Sequence, residues 1–367
     1  MTSPAPVRAT VLATVDLDAY RRNLALIRDR IAPAELMVMV KANAYGHGLL
    51  PVARAAVGAG IRFIGVLDAE SGLALREDGI GSDVRMFAWL FGPQEDYRRL
   101  IDADIDLGIS HLHQLERIAT AAVGAGRPAR LHLKIDTGLH RNGASIDEWP
   151  VFVERALELQ ATGLVEVFAA WTHIAEASDA EDTLAIERFD RALALAQTLG
   201  ARFSLRHLAA SAAGFSRPDA RFDVVRVGAF TYGIAPGSGI GPMSLGLEPV
   251  LSLTAEVTAL TTANGKSLAR LAVGYADGLP SAAGGRCTVL VAGVQCVLVS
   301  VFAGYSLIDI TAVRVAVGDS AELFGAGRGG GNTLQSWADA LKTIGEELVA
   351  HLNVRVSRRY LDELSTQ

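Results

Sequence analysis

The sequence predicts an α/β fold: a (β/α)8 TIM barrel followed by a smaller, mostly antiparallel β domain. Two observations carry the prediction. Up to about residue 240, eight apolar strand-like runs alternate with helical stretches, the pattern of parallel strands joined by crossover helices. From about residue 245 the runs crowd together with turn residues between them, too close for such crossovers. A length of 367 residues suits a large barrel plus a second domain rather than one small core. The expected division is a barrel over 12–240 and a β domain over 241–367 together with residues 1–11. An open doubly wound sheet is the alternative for the first part.

The first helix follows Asp16-Leu17-Asp18. Leu24, Ile27 and Ile31 share one face, and Asp16 or Asp18 supplies the cap. The eight strands read as 35–41 (ELMVMVK), 62–68, 83–89, 105–110, 129–136, 164–174, 203–211 and 224–231. The clearest helix between them is 180–200, with Ile186, Phe189, Leu193 and Ala196 on one face and Gly200 as its stop. In the second part LSLTAEVTALTT, SLARLAVGY, CTVLVAG, QCVLVSVF and LIDITAV read as short strands. One helix near 334–343, capped by Thr333 or Asn332, interrupts them.

Charge narrows the function. Thirty-four Lys and Arg against 40 Asp and Glu leave a net −6, so the chain offers no basic face for nucleic acid and no polybasic membrane anchor. The N-terminus MTSPAPVRATVLATVDLD lacks a charged segment followed by a long apolar core, so no signal peptide is expected and a cytoplasmic location follows. The longest apolar run, Val289 to Phe302, is broken by Gly293 and Gln295 and is too short to span a bilayer. Cys287 and Cys296 lie on neighbouring strand candidates and are expected as free thiols, and no metal-ligand set is evident. Gly325-Ala326-Gly327-Arg328-Gly329-Gly330 fits the GxGxxG spacing. It lies in the β domain and not inside a βαβ unit, so it reads as a loop and not as a nucleotide site.

The polar residues of the first part gather where a barrel of this kind does its chemistry, at the C-terminal ends of its strands. Lys41 closes a buried apolar run. Lys134 and Asp136 end the fifth strand, with Arg141 just beyond. His173 ends the sixth, His207 and Ser211 lie on the seventh, and Arg226 lies on the eighth before Gly228. A lysine in such a place either leaves the core with its stem buried and its head in water, or it is a placed nucleophile. The loops after strands seven and eight are the usual phosphate cradle of the fold. Here they offer Ser211 among Ala210, Ala212 and Ala213, and then Gly228-Ala229, small residues that let backbone N–H groups approach phosphate oxygens. A lysine facing such a site suits an imine bond to pyridoxal 5′-phosphate (PLP). Burial would lower its pKa toward the neutral amine that this chemistry needs, and Arg226 could face the pyridine nitrogen.

The motifs VKANAYGHG, LKIDTGLHRNG, WTHIAEAS, HLAASAAG, VRVGAFTYG, VGYADGLP and RVSRRY occur in this order over roughly residues 12–361. Together they resemble the alanine racemase family. The resemblance implies a fold type III PLP enzyme that interconverts L- and D-alanine, or a related small amino acid, by a two-base mechanism. It implies Lys41 as the PLP lysine and one base, with Tyr275 as the opposing base. Tyr45, Ser211, Gly228 and Ala229 would hold the phosphate, Arg226 would donate to the pyridine nitrogen, and His173 would lie near Arg226 and Tyr275. Arg141 would touch the PLP phenolic oxygen and the substrate, and Lys134, often carbamylated in this family, would orient Arg141. A homodimer with shared active sites is implied, Tyr275 of one copy reaching the lysine of the other. Racemisation removes a proton from one face of Cα and returns one to the other, which calls for two bases. A tyrosine titrates near about 10, so it needs cationic or hydrogen-bonding surroundings to serve as one.

The substrate side departs from the family. Phe302, Ala303 and Gly304 stand where Cys, Met and Asp are usual, with Ala303 as the expected substrate contact. Ser300 stands where Arg is common, Val354 where a tyrosine often stands, and Leu139-His140 replaces Met-Gly. One reading is drift with the backbone contacts kept. The other is a changed carboxylate pocket, and so another amino acid, another reaction such as decarboxylation, or a catalytically weak homologue. Tyr275 speaks against decarboxylation, which does not need that second base.

Overall fold

The computed structural model describes residues 10–236, 240–263 and 265–362. After a first strand, β1 (Val11–Asp16), come β2 (Glu35–Met39), β3 (Phe63–Asp68), β4 (Arg85–Leu90), β5 (Ile105–Ile109), β6 (Ala129–Lys134), β7 (Val165–Trp171), β8 (Leu205–His207) and β9 (Val224–Val227). From β2 to β8 each strand pairs in parallel with the next, and β9 pairs with β2. Asp223 N–H donates to Arg206 O at 3.1 Å and Arg226 N–H to Ala209 O at 3.2 Å, which ties β9 back to β8 and closes the ring. These are the eight strands read from the sequence. The doubly wound alternative fails, because such a sheet would leave two open edges.

Closure explains the composition of the strands. Both faces are covered, so β5 is buried at every position and the ring is filled by its own side chains. The helices follow their caps. Asp16 Oδ1 accepts from Asp18 N–H (3.0 Å) and Ala19 N–H (2.8 Å) at the start of Leu17–Ile31. Ser178 Oγ accepts from Glu181 N–H (3.2 Å) to start Asp179–Thr198.

The end of β2 is unusual. Ala42, Asn43, Ala44 and Tyr45 have φ of 52°, 55°, 54° and 51°, a left-handed turn opened by Lys41. That conformation costs an L-residue about 1–2 kcal/mol, and non-glycine residues seldom adopt it in succession. Strain of this kind gathers where function demands a backbone path. None of the four is β-branched, which keeps the cost at its lowest for non-glycine residues.

The second sheet comprises β1 with β10 (Leu251–Ala263), β11 (Lys266–Leu271), β12 (Thr288–Val291), β13 (Val294–Val301), β14 (Ser306–Asp309), β15 (Ser320–Phe324) and β16 (Ser357–Leu361). Its order is β11-β14-β13-β12-β15-β10-β1-β16, with β10 also pairing β11. Every pairing is antiparallel except that of β16 with β1. Thr333 caps the helix Leu334–Leu341, its Oγ1 accepting from Ser336 N–H at 3.1 Å. The glycine run 325–331 joins β15 to that helix and sits in no βαβ unit. Cys287 and Cys296 are free and buried.

Contacts divide the chain into two compact units. The barrel unit is Leu24–Ala44 with Val52–Gly228. The β unit holds the chain before Leu24, Tyr45–Pro51 and everything from Ala229 onward. The division falls at Ala229, where the sequence reading puts residue 240, and β1 goes with the β unit through its pairs to β10 and β16. Among the described residues no helix is long and apolar enough to cross a membrane.

The left-handed turn gives a first prediction. Ala44 is fully buried at φ 54°. Ala44→Val places a β-branched side chain in that conformation and should lower stability by about 2–3 kcal/mol. Ala44→Gly should stay within about 1 kcal/mol of the parent, because glycine enters this region freely. Urea unfolding of both variants measures the difference.

Candidate active site

Arg226, on β9, is 4% exposed, and both of its terminal nitrogens are hydrogen-bonded. Nη1 donates to His207 Nδ1 at 2.9 Å. Nη2 donates to Thr172 O at 2.8 Å and to Leu208 O and His173 Nδ1, each at 3.0 Å. Among the described residues no acceptor stands at Nε. Burial pushes the guanidinium pKa down to about 9, against the pull of the Glu176 carboxylate, so it stays cationic at neutral pH.

His173 sits among cations. Burial, with Arg226, Arg141, Lys134 and Lys41 around it, holds its imidazole well below the usual range. The ring is neutral, its Nδ1 accepts from Arg226, and its proton therefore lies on Nε2. Lys134, at the end of β6, is 2% exposed. Its ammonium donates to Asn142 Oδ1 and lies 4.5 Å from the centre of the Trp171 ring. Burial, reinforced by Arg226 and Arg141, pushes its pKa down from 10.5 to about 7. Arg141 is exposed on the loop after β6. Asp136 Oδ1 folds that loop by accepting from Gly138 N–H (3.0 Å) and His140 N–H (3.1 Å).

Ser211 opens the short helix Ser211–Ser216, and Gly228 N–H donates to its Oγ at 3.3 Å. The barrel unit thus brings together Lys41, Lys134, Arg141, His173, Ser211, Arg226 and Gly228. The remaining expected residues belong to the β unit. Tyr275 begins the turn Tyr275–Asp277 and is 56% exposed. Its N–H donates to Phe302 O, and Ala276 N–H to Ala303 O, each at 2.9 Å. A Cβ on Gly274 would come within 2.2 Å of Phe302 O and 2.4 Å of Ala303 O, so only glycine allows this approach. Phe302 stacks on Tyr305 with ring centres 4.6 Å apart. Tyr45 packs against Tyr232 (5.0 Å), and burial raises its phenol pKa, leaving a neutral hydroxyl. Ala229 opens the turn Ala229–Tyr232, and Val354 is exposed to solvent.

Sequence reasoning missed several residues of this network. Thr172, Asn142, Trp171 and Glu176 enter it directly, Glu176 by accepting Ala213 N–H at 2.8 Å. His132 lies two residues before Lys134 on β6, hence on the same face, and that spacing was the available signal.

Four basic side chains around one neutral imidazole build a positive potential that favours an anion. A phosphate-bearing aldehyde would fit this donor set: Lys41 would offer the amine, Ser211 and Gly228 the phosphate side, and Arg226 Nε a donor that meets no acceptor among the described residues. The fold and the site define a barrel-type PLP enzyme. The chain belongs to the alanine racemase family: residues 15–236 match its "Alanine racemase, N-terminal domain" and residues 257–360 its "Alanine racemase, C-terminal domain". Alanine racemase of Thermobifida fusca is 39% identical over 95% of this chain and 97% of its own. That of Salinispora tropica is 41% identical over 94% and 97%. The crystal structure of alanine racemase from Streptomyces lavendulae superposes with a TM-score of 0.94 at 36% identity, covering 98% of this chain and 99% of that one.

Lys134 yields a pH prediction. Its folded pKa of about 7 lies below the ordinary 10.5, so between those values the unfolded chain holds more proton here. Stability contributed by this group therefore rises with pH across that window. In CO2-free buffer, urea midpoints should climb more from pH 7 to pH 9.5 for the parent than for Lys134→Met.

Proposed function

We propose that this chain interconverts L- and D-alanine with PLP, using Lys41 and Tyr275 as the two bases. The observation that carries the reading is the set of four basic side chains, Lys41, Lys134, Arg141 and Arg226, gathered about His173 at the barrel mouth. The names of its relatives support alanine as the substrate. PLP, when bound, withdraws the electron pair left at Cα and so makes its proton removable.

This chain's residues do the rest. Lys41 Nζ holds the cofactor and moves a proton at one face of Cα. Tyr275 Oη moves a proton at the opposite face. Ser211 Oγ and the backbone N–H groups of Gly228 and Ala229, with the Tyr45 hydroxyl, bind the phosphate. Arg226 would hold the pyridine nitrogen through a hydrogen bond donated by Nε. His173 carries its proton on Nε2 and so offers a hydrogen-bond donor at the barrel mouth. Arg141 and Ala303 meet the substrate carboxylate side.

Lys134 is the carbamylation site. A buried amine with pKa about 7 is about half neutral, and so open to CO2, at neutral pH, and the product would place an anion beside Arg141. In buffer equilibrated with 13CO2, the parent should give a carbamate 13C signal that Lys134→Met lacks.

The working unit is a homodimer in the cytoplasm. The high exposure of Tyr275 supports a phenol that serves the other copy, and two buried free thiols suit a reducing compartment. In D2O with L-alanine, the parent should exchange the α-proton and give D-alanine. Tyr275→Phe should lose inversion by about 100-fold or more, while Lys41 keeps α-proton exchange with one of the two alanine enantiomers, each tested separately. Mixing Lys41→Ala with Tyr275→Phe should restore activity in the mixed dimer, which then has one intact site. No recovery would sink the shared site, and no exchange with alanine would sink the function. Exchange confined to another amino acid would trace substrate choice to Phe302-Ala303-Gly304.

A further inference from the structure

His207, His132 and Asp106 lie fully buried inside the barrel, and the reaction above uses none of them. They form one unbroken line. Arg226 Nη1 meets His207 Nδ1 at 2.9 Å, His207 Nε2 meets His132 Nδ1 at 2.8 Å, and His132 Nε2 meets Asp106 Oδ2 at 3.2 Å. The line is sheathed in aromatic rings. Phe87 stacks on His132 with centres 4.5 Å apart, and Trp171 stacks on His207 at 5.6 Å.

The proton positions follow from the two ends. A guanidinium only donates, so His207 Nδ1 is bare. The ring is neutral, burial and the Arg226 charge holding its pKa well down, so its proton is on Nε2. That proton points at His132 Nδ1, which must accept. His132 is also neutral, since burial lowers its pKa against the opposing pull of Asp106, so its own proton is on Nε2. It is donated to Asp106. Burial favours protonation of Asp106, but the hydrogen bond from His132 and the cations of Arg130 and Arg85 outweigh it, and the carboxylate only accepts. Arg130 Nε lies 2.5 Å from Asp106 Oδ1. Donor and acceptor agree at every joint, and reversing any one imidazole sets two N–H groups face to face.

We infer that Asp106 is a positioning residue for Arg226, acting through His132 and His207 to make His207 Nδ1 a strong acceptor that holds the guanidinium in place. The logic is that of a carboxylate–histidine–metal arrangement, with a guanidinium in the metal's position and a second imidazole between. The inference deepens the reading above and rests on Arg226 facing the cofactor ring, while the line itself does not.

Two experiments test it. In cofactor-free protein with 15N-labelled histidine, His132 and His207 should both be neutral with the proton on Nε2. A proton on His207 Nδ1, or an imidazolium at either position, would overturn the line. His132→Phe keeps the Asp106–Arg130 pair and an aromatic ring against Phe87 but cuts the line. It should lower kcat about 10- to 100-fold, the range for such supporting partners, with KM changed less than about 3-fold. Asp106→Asn loses the charge but keeps an oxygen for His132, so it should retain more activity than His132→Phe and keep the His207 tautomer. Parent-like kcat in His132→Phe overturns the inference. So does Asp106→Asn falling as low as that variant, because loss of the ion pair would then explain the damage. If the tautomers are as expected but the parent does not racemise, the functional reading fails and the line stands.

Discussion

A guanidinium held out of water sets the terms for the barrel mouth. Burying a charge is costly unless polar groups replace its hydration. For Arg226 the direct replacements are uncharged: two imidazole nitrogens and two carbonyl oxygens. They satisfy its geometry without cancelling its charge. The positive potential therefore survives, and Lys134, Arg141 and Lys41 add to it. Burial and that same potential keep His173 neutral, and the hydrogen bond from Arg226 fixes Nδ1 as the nitrogen that accepts. The site is an electrostatic arrangement that an anion completes, and a phosphate with a substrate carboxylate supplies two.

Much of this was legible in the residues. Strands covered on both faces must be apolar throughout, so the eight barrel strands stood out, and polar residues at their ends stood out against them. The interior line did not. Asp106 and His132 sit within apolar runs, and a reading directed at strand ends passes over them, although a carboxylate inside IDLGIS has to find a partner. The left-handed turn was also hidden, because Lys41-Ala42-Asn43-Ala44-Tyr45 has no glycine to announce positive φ. β8 spans only Leu205–His207, shorter than the apolar run from which it was read, because the chain leaves the ladder before Ser211. The place of β1 was obscured for a related reason. VLATVD alternates as a half-buried strand should, but alternation cannot say which sheet will take it.

The two units solve different problems with different backbone devices. In the barrel, position comes from strand register and from side chains that cross the ring. In the β unit it comes from the chain itself. The carbonyls of Phe302 and Ala303 receive the amides of Tyr275 and Ala276, so the exposed tyrosine stands on main-chain bonds that no side-chain substitution removes. Such an arrangement tolerates change in the side chains at 302–304 while preserving the path of the backbone.

The missing side chain at position 274 makes that tolerance one-sided. Carbonyl oxygens of residues 302 and 303 occupy the space where a Cβ would stand, and they accept the amides of Tyr275 and Ala276, so any side chain at 274 would push the two segments apart. Change at 302–304 is thereby confined to exchanging side chains along a fixed backbone path. Insertions or deletions near residue 303 would move Tyr275 at the same stroke. Single substitutions there leave the path at Tyr275 in place, whereas a grafted loop would not.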